Sequence, residues 1–222
     1  MVSGDNRESD DIALLKQINQ EYCNRNGYDF KFYDQSNMSR GMDQYCPYWR
    51  KVKYVHDFMC NNKLYEYLMW IDSDACFHDH DFRIENFFSA KDIIFVMSRD
   101  NSKYTGEFNA GVWAIKNNKK GRRFIKKWLS LYNPNKWYKR RKFNDQLEWV
   151  CKDFIFPCIW AGKYYEQGAG YNLMHTSEFS PYIMQLPWNA LQHDNIPSKY
   201  SYTMHFAGDA KMNIKTYYRS FY

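Results

Sequence analysis

Apolar positions along this chain recur with two different periods. Between Ser9 and Gly27, the residues Ile12, Leu15, Ile18 and Tyr22 fall at three- and four-residue spacing, with Ser9 and Asp10 suited to cap a helix and Gly27 to stop it. The segment "YDFKFYD" at 28–34 then alternates every second residue, as a half-buried strand does. Helical spacing returns in "YWRKVKYVHDFMCNN", where Trp49, Val52, Val55 and Met59 share a face, and it gives way to the apolar strand "YLMWI". Strands are predicted next over "DIIFVMS" and "NAGVWAIK", helices over "NKKGRRFIKKWLSLY" and "NDQLEWVCKDF", and short strands near 155–160 and 202–206. Such alternation predicts an α/β fold, a three-layer sandwich around a mainly parallel sheet. The 222 residues contain no repeat and no Pro/Gly-rich linker, which predicts a single domain.

The strand "YLMWI" runs directly into "DSDACF". Two carboxylates at the end of a buried element cost energy unless something positive meets them. In an extended segment Asp72 and Asp74 point to the same side and Ser73 away, so both acids converge on one point, as a hard divalent cation requires. Solvated or helix-capping aspartates are the plain alternative. Ligands of open α/β sheets bind outside the carboxyl ends of strands, where this pair sits. Two enzyme chemistries place D-x-D after an apolar strand. Phosphatases of haloacid-dehalogenase type use the first Asp as nucleophile, although their motif lies near the N-terminus and carries Thr or Val where this chain has Cys76. Glycosyltransferases of the GT-A type use the pair to hold Mn²⁺ or Mg²⁺ against a sugar nucleotide's diphosphate.

Composition narrows the field less. Hydrophobic residues at 45% and aromatics at 20% predict a folded core rather than disorder. No apolar run approaches the roughly 20 residues of a membrane span, and "MVSGDNRESDD" lacks the regions of a signal peptide, so the expectation is a soluble, cytoplasmic protein. Six scattered cysteines without C-x-x-C spacing predict reduced thiols. The net charge of +6 fits any anionic partner. "NKWYKRRKF" at 135–143 interleaves cations with aromatics, as nucleic-acid-binding surfaces do, but also as a solvated loop or a glycan-binding segment would. A nucleic-acid-binding protein and a catalytically silent sugar-binding module are therefore rival classes.

Five segments in order resemble the GT-A galactosyl/xylosyltransferase family that includes yeast mannan-forming enzymes and plant xyloglucan xylosyltransferases: "YWRKVKYVHDFM", "EYLMWIDSDACF", "FNAGVWAIKN", "FNDQLEWV" and "MHFAGDAK". In compactness the chain also resembles the anchorless glycosyltransferase domains that large algal viruses use on capsid glycans. The resemblance implies a metal site of Asp72, Asp74 and His205, an imidazole among carboxylates suiting Mn²⁺ better than Mg²⁺. It implies donor contacts by Lys51, Asp72, Ser73, Asn109, Ala110, Gly111, Gly208 and Lys211, and by Val2, Ser3 and Gly4 on a very short first strand. Asp145 and Gln146 match the family's Asp-Gln helix start beside the anomeric carbon and are the expected catalytic residues. Residues 1–108 would form the nucleotide-binding half and 109–222 the half for donor sugar and acceptor. The expected partners are a UDP-sugar and a glycan or glycoprotein acceptor, with retention of anomeric configuration and no nucleic acid.

Overall fold

Six strands build the central sheet in the order β2-β1-β3-β6-β5-β9: β1 is Val2–Gly4, β2 Lys31–Tyr33, β3 Tyr67–Ile71, β5 Phe95–Ser98, β6 Val112–Lys116 and β9 Ile183–Leu186. This computed structural model describes residues 1–5, 7, 9–34, 41–89, 92–101, 107–142, 145, 147–152, 162–195 and 197–222. β1 runs parallel to β2 and β3, and β5 parallel to β9, while β6 is antiparallel to both β3 and β5. The sheet is thus mostly parallel, with one reversed strand at its centre. The very short first strand is present and pairs on both sides.

Side-chain alternation places helices on both faces. Leu68, Trp70, Phe95, Met97, Trp113 and Ile115 point into a core closed by α2 (Pro47–Asn61), α3 (Lys119–Ser130) and α4 (Glu166–Met174). Met69, Ile71, Val96, Val112 and Ala114 point into the opposite core, against α1 (Asp10–Asn26) and α5 (Trp188–Leu191). β3 therefore reads as continuously apolar because both of its faces are covered. α1 has the ends its sequence implies: Ser9 Oγ accepts from the Ile12 amide at 3.2 Å, and Gly27 closes it at φ 71°. α3 packs onto β6 through Gly121, where a Cβ would lie 1.9 Å from the Lys116 carbonyl oxygen. Gly121→Ala is expected to lose about 3 kcal/mol of stability, read as a lowered urea midpoint with an unchanged slope.

Two expectations are corrected. The helix predicted over "NDQLEWVCKDF" is absent over its described residues: β7 (Trp137–Arg141) and β8 (Leu147–Cys151) form an antiparallel hairpin with a sheet of its own. "LEWVC" alternates along a strand, and Arg140 Nε donates to Glu148 Oε1 at 3.0 Å across the pair. Trp137 and Cys151 bury the root of this hairpin, while Leu147 near its tip is 62% exposed. The basic segment from 135 thus belongs largely to strand β7. The second correction concerns D-x-D itself. Asp72–Asp74 is not extended but forms a tight turn between β3 and β4 (Ala75–Phe77), closed by the Ala75 amide on the Asp72 carbonyl at 3.0 Å. The strand expected near 202–206 is β10 (Thr203–His205), and the one near 155–160 lies outside the described residues.

Candidate active site

The turn after β3 brings the two carboxylates together, and β10 delivers the imidazole. β10 pairs antiparallel with β4 in the register His205↔Ala75, and the Phe206 amide donates to the Asp74 carbonyl at 2.8 Å. Asp72, Asp74 and His205 then each offer a ligand atom, all within 4.8 Å of one another. His205 is buried, and its ring is fixed on two sides. Nδ1 lies 2.6 Å from Gln192 Oε1, and Nε2 faces Asp74 Oδ1 at 3.3 Å. The ring also lies flat over Gly111, where a Cβ would sit 2.2 Å from Cε1. Gly111 is required because no other side chain leaves space for the imidazole.

The protein's own cations meet both acids. Lys51 Nζ lies 2.8 and 2.9 Å from the two oxygens of Asp72, 3.2 Å from the Ala110 carbonyl and 3.6 Å from Glu166. Trp70 Nε1 donates to Asp72 Oδ1 at 2.6 Å. Lys211 Nζ stands 3.0 Å from Asp74 Oδ2. Burial works against the Asp74 charge, but the hydrogen bond and charge of His205, together with Lys211, outweigh it and hold the carboxyl well below its usual range. The same pair raises His205 despite its burial. Ser73 does not face away: its hydroxyl donates to Asp5, whose carboxylate also takes a two-pronged contact from Arg7 at 2.9 and 2.7 Å.

A cleft of about 440 Å³ opens beside Asp72, Ser73 and Asp74. It is lined by Gly4, Asp5 and Tyr33 at the ends of β1 and β2, by Lys51 and Tyr54 of α2, by Trp70 of β3 and by the hairpin's Lys142, Glu148 and Trp149. Tyr33 and Tyr54 stack at 4.0 Å between ring centroids. Of the first-strand trio only Gly4 lines the cleft, while Val2 and Ser3 are buried beneath it. Asn109 orders the neighbouring loop, accepting from the Gly111 amide at 2.8 Å and donating to Asp100 at 3.1 Å. Gly208, at φ 58°, opens the segment that carries Lys211, and nothing lies within 4 Å of where its Cβ would be. Asp145 sits at the hairpin turn with its side chain 84% exposed and 3.4 Å from Arg141. Gln146 lies outside the described residues.

Several groups were missed in the sequence. An acidic-Gln pair opens a helix at Glu166-Gln167, the start of α4, whereas Asp145 stands at the hairpin turn. Gln167 Oε1 accepts from the Ala110 amide at 3.1 Å, and Glu166 is buried beside Lys51. Burial is the main reason its carboxyl is pushed up to about 7, with Lys51 opposing and the Asp72 charge reinforcing the rise. "YEQGAGYNLM" carried this signal, since its acid and amide precede a helical run. Asp5, Arg7, Asp100 and Gln192 carried none, because only the fold brings them to the site.

Known proteins resemble this chain in sequence over part of its length and in fold. Residues 2–101 match the galactosyl transferase GMA12/MNN10 family. Galactomannan galactosyltransferase 1 of Cyamopsis tetragonoloba is 28% identical over 142 residues, covering 62% of this chain and 31% of that protein. The chain therefore spans about a third of that relative's length. The crystal structure of a glycosyltransferase involved in glycosylation of the major capsid of PBCV-1 superposes with a TM-score of 0.64 at 16% identity, over 96% of this chain and 97% of that one. Together these findings define the fold, that of the GT-A glycosyltransferases. Within it, this chain is similar to the galactosyl transferases over its N-terminal segment and to the PBCV-1 enzyme in fold throughout. Among the described residues no helix is long and apolar enough to cross a membrane.

Proposed function

We propose that this chain transfers a sugar from a nucleoside diphosphate sugar, in the first instance a UDP-sugar, to a hydroxyl of a glycan or glycoprotein, using a divalent cation. The observation that carries this reading is the convergence of Asp72, Asp74 and His205 at a cleft of about 440 Å³, within the common range for small-molecule sites. Two carboxylates and one imidazole, with ligand atoms within 4.8 Å, fit a six-coordinate ion, and the nitrogen favours Mn²⁺ over Mg²⁺. When bound, such an ion stabilises the charge that develops on the leaving diphosphate.

The chain's own residues supply the rest. Tyr33, backed by its stack on the buried Tyr54, offers aromatic surface to the base and ribose, and Gly4 allows close backbone approach beside it. Lys51 holds Asp72 in place while adding positive charge near the phosphates. Asn109, Ala110 and Gly111 form the sugar's side of the site, with Gly208 admitting the segment of Lys211. Glu166-Gln167 is the acidic-Gln pair best suited to lie beside the reacting sugar, because it is buried and tied to Ala110 and Lys51. Asp145, with Gln146, keeps the expected role at the anomeric carbon only if the hairpin folds inward. Retention of configuration is part of the proposal through the family resemblance alone. In this scheme residues 1–108 bind the nucleotide and 109–222 supply sugar and acceptor contacts.

The test is a thermal-shift series with nucleoside diphosphates and UDP-sugars, with and without Mn²⁺. UDP with Mn²⁺ at about a hundred times its Kd is expected to add about 2.7 kcal/mol, a rise in Tm of about 5–10 °C that EDTA reverses. No shift, or one that EDTA leaves intact, overturns the metal-dependent reading. Salt-sensitive oligonucleotide binding without any response to UDP would favour a nucleic-acid role.

A further inference from the structure

Lys51 and Lys211 each neutralise one of the site's carboxylates, but their situations differ. Lys51 rises from α2, is 11% exposed at its side chain, and is shared among Asp72, Ala110 and Glu166. It is fixed. Lys211 comes from the short helical segment Gly208–Asn213, its side chain is 40% exposed, and Asp74 is its one ion-pair partner among the described residues. Its ammonium stands on Asp74 Oδ2 while His205 faces Oδ1, so both oxygens of this carboxylate are occupied by the protein itself. A divalent cation drawing on the same carboxylate meets a like charge within a few ångströms, in a pocket where screening by water is reduced.

We propose that Lys211 is a tethered counter-cation that holds the metal's share of Asp74 and gives it up only to an ion arriving with a nucleoside diphosphate. A bare divalent ion must displace the ammonium and leaves it with no anion to meet. An ion carrying a diphosphate brings the negative oxygens to which the released ammonium turns. The long side chain of Lys211, 40% exposed, lets the ammonium turn without displacement of its backbone. Lys51, held by oxygens of three residues, stays on Asp72. The site therefore discriminates against free metal ions and selects the metal-nucleotide pair. This inference rests on the metal-dependent reading above.

The experiment measures Mn²⁺ binding by the electron paramagnetic resonance of free Mn²⁺, without UDP and with UDP, in wild type, Lys211→Met and Lys211→Arg. Without UDP, Lys211→Met is expected to bind Mn²⁺ about tenfold more tightly than wild type. With Mn²⁺ saturating, the same variant is expected to bind UDP about tenfold more weakly, and Lys211→Arg to behave as wild type in both assays. A merely structural lysine would not give changes of opposite sign. Equal or weaker Mn²⁺ binding by Lys211→Met, with wild type binding normally, overturns this inference alone. Absence of Mn²⁺ binding by every variant, with and without UDP, overturns the metal-dependent reading and this inference with it.

Discussion

Asp74→Asn is expected to fold, to lose the stabilisation that UDP and Mn²⁺ confer, and to transfer sugar more slowly by on the order of a thousandfold. The amide keeps the shape of the side chain but removes the charge on which His205 and Lys211 converge. Turnover of a radiolabelled UDP-sugar, including slow hydrolysis by water, measures the effect, and activity within tenfold of wild type would remove Asp74 from the metal site. Without ligand the substitution also has a cost. The folded carboxyl lies below its ordinary value of 3.8, so its pairing stabilises the protein above that pH and is lost as the pH falls through the folded pKa. The stability gap between wild type and variant, about 1–2 kcal/mol at neutral pH, should therefore shrink in acid.

Gly111→Ala is expected to be nearly as damaging although the residue carries no functional group. The new methyl would lie 2.2 Å from His205 Cε1 and 2.7 Å from both ring nitrogens. The ring can yield only by breaking its contacts to Gln192 and Asp74, because β10 is hydrogen-bonded to β4 and cannot draw it back. The imidazole must rotate away from the carboxylates, and Mn²⁺-dependent UDP binding is expected to fall about a hundredfold by isothermal titration. Overpacking adds about 1–3 kcal/mol of lost stability. Gly208→Ala serves as the control: it introduces left-handed strain at φ 58° but no clash, and it should cost only about 1–2 kcal/mol. Equal effects of the two substitutions would sink the steric account.

These outcomes bear on how much of the protein can be read without its structure. The helical face of Ile12, Leu15, Ile18 and Tyr22 is local information, since a 3.6-residue period states which side must be buried. So are the cap at Ser9, the stop at Gly27 and the two-sided burial of "YLMWI". Within 144–154 the expected helix gives way to a strand over Leu147–Cys151 because five residues of mixed polarity satisfy either, and cross-strand partners such as Arg140 for Glu148 decide between them. The same absence of tertiary information hid Glu166-Gln167, a second pair of an acid and an amide, whose place beside Lys51 and Ala110 is visible only in the fold.

The amino-acid order alone determined that two aspartates end a buried strand and that a histidine three residues before a glycine lies far along the chain, because residue type and hydrophobic period are properties of short segments. The fold decided what meets those charges. Backbone pairing of β10 with β4 sets His205 beside Asp74, and α2 and the segment after Gly208 supply Lys51 and Lys211. The positive partner that the bare sequence lacked is thus present before any ion binds, since electrostatic neutralisation acts through space between residues that the chain keeps apart.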